Sequence, residues 1–132
     1  MVTLAISGKP RILVSVTLPG DAGSVARFAR RLSQRPVRAK FLRHCAPSET
    51  TIAITARDRD SGVVVGQAIA LRVNAEAASV ALAIAEAYAQ FDVAAKLLEA
   101  LAAETRKRGI IVLCRDGLLC CRDDGHCSQE TP

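Results

Sequence analysis

The chain has 132 residues, of which 50% are hydrophobic, so it is long enough for one domain with a core of its own. Aromatic residues make up only 3% and tryptophan is absent, which leaves few stacking platforms for single-stranded nucleic acid. The net charge of +5 favours anionic partners in general.

The sequence shows no targeting or membrane segment. Residues 1–10 lack the basic leader and the apolar run of a secretory signal peptide, and no later stretch has the apolar length of a membrane span. We therefore expect a cytoplasmic protein with reduced cysteines and no membrane partner. Its richness in alanine and arginine is typical of a GC-rich bacterial genome.

The first third of the chain predicts two strands and two helices. Residues 2–6 and 12–18 are rich in β-formers, and the turn residues between them predict a hairpin. Asp21 is a good N-cap for a helix that stops before Pro36. The apolar face of this helix consists of Val25, Phe28, Ala29 and Leu32. A second helix follows over 37–44, and we expect it to bury Phe41, Leu42 and Cys45.

Positive charges crowd into these two predicted helices. They belong to Arg27, Arg30, Arg31, Arg35, Arg38, Lys40 and Arg43. A solvated helix face, a site for an acidic substrate or cofactor phosphate, and a nucleic-acid site are all compatible with such a cluster. No recognisable nucleic-acid motif accompanies it, so we expect no nucleic-acid partner.

The middle of the chain predicts a meander that leads into a helix. The apolar runs 50–57 and 63–73 are joined by a polar turn ending in Gly62, which indicates an antiparallel hairpin. A third strand over 79–85, an amphipathic helix over 93–108 and a strand over 110–113 follow. This order predicts one α/β domain with a mostly antiparallel sheet and a terminal βαβ unit.

The helix over 93–108 has a recognisable face, start and end. Its apolar positions recur with the helical period at Val93, Ala94, Leu97, Leu98, Leu101 and Ala102. Asp92 is the predicted N-cap, and Gly109 is predicted to adopt the left-handed conformation after the last turn. The turn before the helix presents free N–H groups and the positive end of the helix dipole, so it is a candidate anion site.

Three stretches resemble the GCN5-related N-acetyltransferase (GNAT) family, especially bacterial members that acetylate protein lysines. The stretch VSVTLPGDAGSVARFARRLS is similar to the first strand and helix of that family, and RRLSQRPVRAKFLRHCAPS to its second-helix region. The stretch VALAIAEAYAQFDVAAKLLEALAAETRKRGI places a strand, an acidic residue, an aromatic residue, a turn, a Leu-Leu pair and Arg-Gly-Ile in family order. The resemblance covers roughly residues 10–113.

The resemblance implies a GNAT-like fold that binds acetyl-CoA and transfers its acetyl group to a primary amine. In the family, the strand before the turn splays from its neighbour, and its backbone pairs with the pantetheine arm. Here that role falls to Leu82, Ala83 and Ile84. N–H groups of the turn hold the pyrophosphate, and the corresponding residues are Gln90, Phe91, Val93, Ala94 and Ala95.

The turn departs from the family pattern at Asp92. The family sequence there is Gln or Arg, two residues, Gly, one residue, then Gly or Ala, and only Ala94 of residues 89–94 fits it. Asp92 stands at the glycine position, where its carboxylate would face a phosphate. Two unit charges roughly 4 Å apart repel by about 4 kcal/mol at an effective dielectric near 20, so the turn predicts weakened or lost acetyl-CoA binding. Gln90 or Lys96 would compensate in part.

The C-terminal segment also departs from the family. Family members continue after the strand 110–113 with two further strands and a helix that commonly supplies a tyrosine as general acid. The segment RDGLLCCRDDGHCSQETP is too short and polar for these elements. We therefore expect an incomplete GNAT-like domain over 1–113, from a truncated or frame-changed gene, and a cysteine-rich disordered tail over 114–132. We expect Tyr88, the single tyrosine, to pack against the helix.

The tail contains most of the cysteines. Potential metal ligands there are Cys114, Cys120, Cys121, His126 and Cys127. Their number suits zinc, but adjacent Cys120 and Cys121 cannot easily bind one tetrahedral ion together, and no CxxC pair occurs. A disulfide is a further interpretation. We predict free thiols and no metal site.

Acetyl transfer needs a base for the amine proton, and three residues are candidates. Glu76 and Glu86 flank the strand 79–85, and His44 ends the second predicted helix, near the place where acceptors bind in the resembled family. Each also fits an ordinary surface or capping role. We interpret Cys45 as a structural thiol, because no Asp or Asn partner for His44 is discernible.

The sequence thus predicts an N-acyltransferase that uses acetyl-CoA and an amine of a protein lysine or a small molecule. The alternative is a catalytically inactive GNAT-like module that binds a protein partner. Loss of the terminal strands would expose a sheet edge, through which a homo- or hetero-oligomer could form.

Overall fold

The computed structural model describes residues 11–46, 48–89 and 91–114, and the backbone of 115, 119–122 and 127–129. Its elements are β1 (Ile12–Val16), α1 (Ala22–Arg30), α2 (Arg35–Arg43), β2 (Thr51–Asp58), β3 (Val64–Arg72), β4 (Ala77–Ile84), α3 (Val93–Lys107), β5 (Val112–Arg115), β6 (Leu119–Arg122) and β7 (Cys127–Gln129). Short 3-10 turns, Pro19–Asp21 and Glu86–Tyr88, precede α1 and α3.

The described strands form one mixed sheet in chain order from β1 to β7. Every neighbouring pair is antiparallel except β4 and β5, which are parallel and joined through α3. The predicted meander followed by a βαβ unit is therefore confirmed. The predicted strand over 2–6 lies outside the described residues.

Successive strand residues point to opposite sides of the sheet. Each side carries a cluster of buried apolar residues, and helices cover both. On the α3 face, α3 packs over a core of alternate residues from β2 to β4. On the α1–α2 face, Phe28 of α1 and Phe41 of α2 pack with Ile69, Ala81 and Ala83. The end of β4 therefore has an α3 face and an α1–α2 face.

The buried side of α3 is narrower than its sequence suggests. The residues that it buries are Val93, Leu97, Leu101 and Thr105, one in every four. Leu98, predicted on the apolar face, is 39% exposed, so that prediction is wrong. This narrow stripe packs closely on β3 at Gly66, which has no side chain. A Cβ atom there would lie 3.1 Å from Leu97 Cδ1.

The C-terminal end of α3 follows the predicted pattern. Gly109 has a φ of +80°, as expected for a residue that ends a helix in the left-handed conformation. Its N–H donates to the C=O of Arg106 (3.1 Å), and the N–H of Ile110 donates to the C=O of Thr105 (3.0 Å). These two bonds form a Schellman motif that directs the chain into β5.

The start of α1 differs from the prediction. Asp21 occupies the N-cap position, but its carboxylate makes no capping hydrogen bond. Instead it accepts the N–H of Leu18 (2.8 Å) and a guanidinium N–H of Arg57 (2.9 Å). The preceding 3-10 turn carries the carboxylate away from the helix amides, so Asp21 ties α1 to β2.

The segment after β5 holds two short strands that the sequence did not predict. Only three residues separate β5 from β6, which leaves no room for a helix between them. β6 and β7 extend the sheet as an antiparallel pair. Residues 116–118, 123–126 and 130–132, to which the expectation of a disordered tail also applied, lie outside the described residues. None of the helices in the described part of the chain has the length and apolar character needed to cross a membrane.

Candidate functional site

β4 separates from β5 halfway along its length. The parallel ladder begins with Ala77 opposite Val112 and ends with Val80 opposite Arg115. On its other side β4 remains paired to β3 as far as Ile84. The last residues of β4 therefore have one edge in the sheet and a second edge without a partner strand among the described residues. Such an edge offers N–H and C=O groups to an extended ligand.

The hydrogen-bond register shows which backbone groups face this opening. The N–H of Ala85 donates to the C=O of Val65 on β3 (2.7 Å). Bonded and non-bonded residues alternate in an antiparallel ladder, so Ala83 also directs its backbone groups at β3. Leu82 and Ile84 direct theirs at the opening. Of the three residues predicted to contact the pantetheine arm, Leu82 and Ile84 therefore direct backbone N–H and C=O groups at the opening. The backbone groups of Ala83 face β3 instead.

The N-terminus of α3 lies directly after this edge. The first hydrogen bond of the helix runs from the N–H of Lys96 to the C=O of Asp92 (3.2 Å). The amides that precede this bond, and so have no partner within the helix, belong to Val93, Ala94 and Ala95. Together with the helix dipole they suit an anion, and the anion site stays a prediction of the sequence. Gln90 lies outside the described residues.

The sequence predicts Asp92 as the N-cap of α3, but its side chain does not cap the helix. Its φ is +43°, the only positive φ of a non-glycine residue in the described part of the chain. An N-cap residue normally has extended backbone, which brings its side chain to the helix amides. In the left-handed conformation Asp92 makes no side-chain capping bond. The position where the resembled family has glycine thus keeps a backbone conformation that glycine adopts without strain.

A hydrogen bond fixes the turn before α3 to the β2–β3 hairpin. The phenol of Tyr88 donates to Asp58 Oδ2 at 2.6 Å, and the ring of Tyr88 lies edge-on to Phe91, 6.5 Å between centroids. This hydrogen bond, with burial and the charge of Asp58, raises the pKa of Tyr88 to about 12. The same bond is the main reason that the pKa of Asp58 is lowered. Tyr88 also packs against the α3-face core, so it supports the turn rather than serving as a ready proton donor.

The structure separates the three candidate bases. Glu76 is exposed just before β4, six residues from Leu82, and therefore about 20 Å from the opening along the strand. Glu86 is exposed in the turn that directly follows β4. The structure thus places Glu86 beside the opening and Glu76 at the opposite end of the strand.

His44 lies on the α1–α2 face. It follows the last residue of α2 and is half-buried, one turn after Phe41, which packs with Ala81 and Ala83. Desolvation and the nearby charges of Arg43 and Lys40 lower its pKa. A lowered pKa favours the neutral imidazole, whose lone pair a general base needs.

Gln67 is a notable residue that sequence reasoning missed. It is fully buried in β3, and neither Oε1 nor Nε2 has a hydrogen-bond partner in the structure. Its neighbours across the sheet are Thr55 on β2 and Ala83 on β4, and Thr55 bonds the hydroxyl of Thr17. The signal in the sequence was one amide within the otherwise apolar run 63–71.

Metal ligands do not converge in the described part of the chain, where no group of three His, Cys, Asp or Glu residues could hold an ion. Cys45 is a free thiol. Of the tail ligands considered above, His126 and the side chains of Cys120, Cys121 and Cys127 lie outside the described residues.

The fold is similar to that of several solved acetyltransferases. The GNAT domain of S. lividans PAT has a TM-score of 0.65 at 21% identity, over 77% of this chain and 69% of that domain. The ribosomal-protein-alanine N-acetyltransferase from Brucella melitensis biovar Abortus 2308 has a TM-score of 0.62 at 19% identity, over 80% of this chain and 79% of its own. An aminoglycoside N-acetyltransferase in complex with CoA has a TM-score of 0.64 at 14% identity, over 84% and 80%.

No protein-family model and no curated protein sequence matches the chain. The structural similarity nevertheless covers most of this chain, whose mostly antiparallel sheet ends in a βαβ unit. The chain therefore has the GNAT fold, as its sequence resemblance implied.

Proposed function

We propose that the chain binds acetyl-CoA at the opening of β4 and transfers the acetyl group to a primary amine. One observation carries this proposal: β4 leaves β5 after Val80, which frees the backbone of Leu82 and Ile84 next to the N-terminus of α3. An extended pantetheine arm, with its amide groups, fits an open strand edge. A pyrophosphate fits the free amides of a helix N-terminus.

The residues of the turn fit this ligand with one exception. The amides of Ala94 and Ala95 face no helix partner and carry small side chains, so phosphate oxygens can approach them. Asp92 adds a carboxylate to the same turn and opposes the phosphates electrostatically. Lys96, one turn further along, is exposed and supplies a compensating positive charge.

The chemistry assigned to the chain is proton removal and orientation of the acceptor. Acetyl-CoA supplies a thioester-activated acyl group, which an amine attacks only in its neutral form. A lysine amine has a pKa of about 10.4, so a base must take its proton near pH 7. Glu86 is a proposed base because it lies in the turn that directly follows β4. His44 is the other proposed base, because it lies one turn after Phe41, which packs with Ala81 and Ala83 of β4. Glu76 is too far away for this role.

A second candidate function is an inactive GNAT-like module that binds a protein partner. Asp92 favours it, because a carboxylate at the glycine position weakens phosphate binding directly. The free edge at Leu82 and Ile84 would then pair with a strand of another chain, in a homo- or hetero-oligomer.

Acetyl-CoA binding separates the two functions. At 100 times the dissociation constant, acetyl-CoA should stabilise a competent fold by about 2.7 kcal/mol, read as a rise in melting temperature. We expect Asp92→Gly to bind more tightly than wild type, and Asp92→Asn to recover the part of that gain that is due to charge. If none of the three proteins is stabilised by millimolar acetyl-CoA, the binding-module function stands instead.

Acetyl transfer is measured by mass spectrometry of an amine acceptor, since a free thiol such as Cys45 would interfere with thiol reagents. We expect His44→Gln or Glu86→Gln to lower kcat by 10²-fold or more, roughly the contribution of a general base. Glu76→Gln is the matched control and should retain wild-type activity. Equal rates in all three variants would exclude these residues as bases.

A further inference from the structure

The α1–α2 segment carries charge of one sign only. Residues 22–48 contain seven lysines and arginines and no aspartate or glutamate. We call the basic surface the set Arg27, Arg30, Arg31, Arg35 and Arg43, all of which are exposed. No ion pair between described residues involves any of the five. Their charges are thus available to a partner.

Two members of the basic surface line a cleft between α1 and the β2–β3 hairpin. The cleft has a volume of about 280 Å³ and is also lined by Ser24 and Ser61. One guanidinium N–H of Arg31 donates to the C=O of Val64 (3.3 Å), and Arg27 donates to the hydroxyl of Ser24 (3.3 Å). These bonds orient the two guanidinium groups while leaving further N–H donors for an anion.

The cleft lies at the same end of the sheet as the opening of β4. β3 begins at Val64 and runs antiparallel to β4, so its first residues lie beside the last residues of β4, with Gly66 opposite Ile84. Two carboxylates of this region, Asp21 and Asp60, pair with Arg57 and Arg11, which are not part of the basic surface. Asp58 keeps its negative charge, since its partner Tyr88 is neutral. The charge of the basic surface is thus not cancelled by Asp21 or Asp60.

We infer that the basic surface docks an acidic segment of the protein that carries the acceptor amine. This inference rests on the proposed function, because it assigns a substrate class to the same site. The basic surface spans two helices of nine residues, each about 13 Å long. That extent exceeds one small anion and suits several carboxylates along an extended polypeptide. Phe28 and Phe41 are buried, so these helices offer no base-stacking platform to a nucleic acid.

The test measures binding separately from acetyl transfer. The probes are a peptide with one central arginine flanked by aspartate and glutamate, and its counterpart with asparagine and glutamine. Neither contains lysine, and no acetyl-CoA is added, so failure of catalysis leaves the result intact. We expect fluorescence anisotropy to show the acidic peptide binding about tenfold more tightly at low salt, with the difference shrinking at 0.5 M salt.

Paired variants locate the site. The double variant Arg27→Gln/Arg31→Gln should weaken the acidic peptide about fivefold, since exposed charge pairs contribute up to about 1 kcal/mol each. Arg106→Gln/Lys107→Gln removes the same charge from the far end of α3 and should leave binding unchanged. Equal binding of the two peptides, equal loss in both double variants, or tighter binding of a single-stranded RNA of similar length would each overturn the inference.

Discussion

The hydrogen bond from Tyr88 to Asp58 joins two segments thirty residues apart in sequence. It holds the turn before α3 against the β2–β3 hairpin, and both partners have shifted pKa values because of it. The lowered pKa of Asp58 stabilises the fold above its unfolded pKa, and this contribution is lost as pH falls through the folded value. The raised pKa of Tyr88 stabilises the fold below about pH 10 and is lost as pH rises toward 12.

This bond can be tested by titration, because Tyr88 is the only tyrosine and no tryptophan interferes. We expect the phenolate absorbance of folded wild type to rise with a midpoint of about 12. Asp58→Asn should move that midpoint toward about 10, the ordinary value. Asp60→Asn, in the same hairpin turn, should leave it unchanged. A wild-type midpoint near 10 would show that the phenol is not bonded to Asp58.

Gln67 is a residue whose amide has no partner in the core. Replacing it with the similarly sized leucine removes an unsatisfied polar group, so Gln67→Leu should raise the free energy of unfolding by about 1 to 3 kcal/mol. Gln67→Ala is the control, because it removes the same amide but leaves a cavity, and it should therefore lower the free energy of unfolding. Urea unfolding measures both. A marked loss of stability in Gln67→Leu would contradict the prediction and indicate that a buried water bonds the amide.

The sequence could not decide the role of a residue whose type suits two different positions in the fold. Aspartate is favoured both as an N-cap and in the left-handed region, and only the backbone shows that Asp92 takes the second role. Glu76 and Glu86 flank the same strand, and their distance from the opening depends on where β5 leaves it. Gln67 could be noticed in an apolar run, but its missing partner is a three-dimensional fact.

At the scale of elements, the sequence predicted most of the fold. The start of α3, the direction of β2 to β5 and the left-handed Gly109 follow from apolar periodicity and turn residues. The exposure of Leu98 does not follow from the periodicity, since the packing of α3 depends on which strand residues lie beneath it. The strands β6 and β7 were missed because they are only four and three residues long, too short to show a β pattern, and their pairing depends on the neighbouring edge of β5.

The approach of α3 to β3 depends on Gly66. A Cβ atom there would lie 3.1 Å from Leu97 Cδ1 and 3.3 Å from Val93 Cγ1, closer than ordinary contacts. Gly66→Ala should therefore push the start of α3 outward and lower the free energy of unfolding by about 1 to 2 kcal/mol. Gly20→Ala meets no atom within 4 Å and is the matched control. Equal unfolding midpoints for the two variants would show that α3 adjusts without cost.

The half-open edge of β4 predicts an alternating pattern of amide exchange. The amides of Leu82 and Ile84 face the opening and should exchange faster than those of Ala81 and Ala83, which bond to β3. Acetyl-CoA should slow exchange at Leu82 and Ile84 selectively. Hydrogen exchange followed by NMR resolves these four amides. Uniform protection of all four without ligand would mean that another strand already occupies the edge.

At the scale of the whole molecule, charge is distributed unevenly. The net charge is +5, and the basic surface concentrates cations on one side of the sheet. Self-repulsion of this kind destabilises a compact state, and salt screens it over about 10 Å at 0.1 M. We expect the melting temperature to rise as sodium chloride is increased from low salt to about 0.5 M. Arg30→Gln/Arg35→Gln should reduce that rise, whereas a falling melting temperature would indicate that ion pairs dominate.

The backbone at Asp92 also has a genetic consequence. Aspartate and glycine codons differ by one base, since an A-to-G change in the second codon position converts either aspartate codon to glycine. Because the chain already has the glycine-type conformation there, this substitution requires no rearrangement of the turn. A single point mutation therefore separates this chain from one with glycine in the turn before α3, and selection for the proposed use of acetyl-CoA would reach that state in one step.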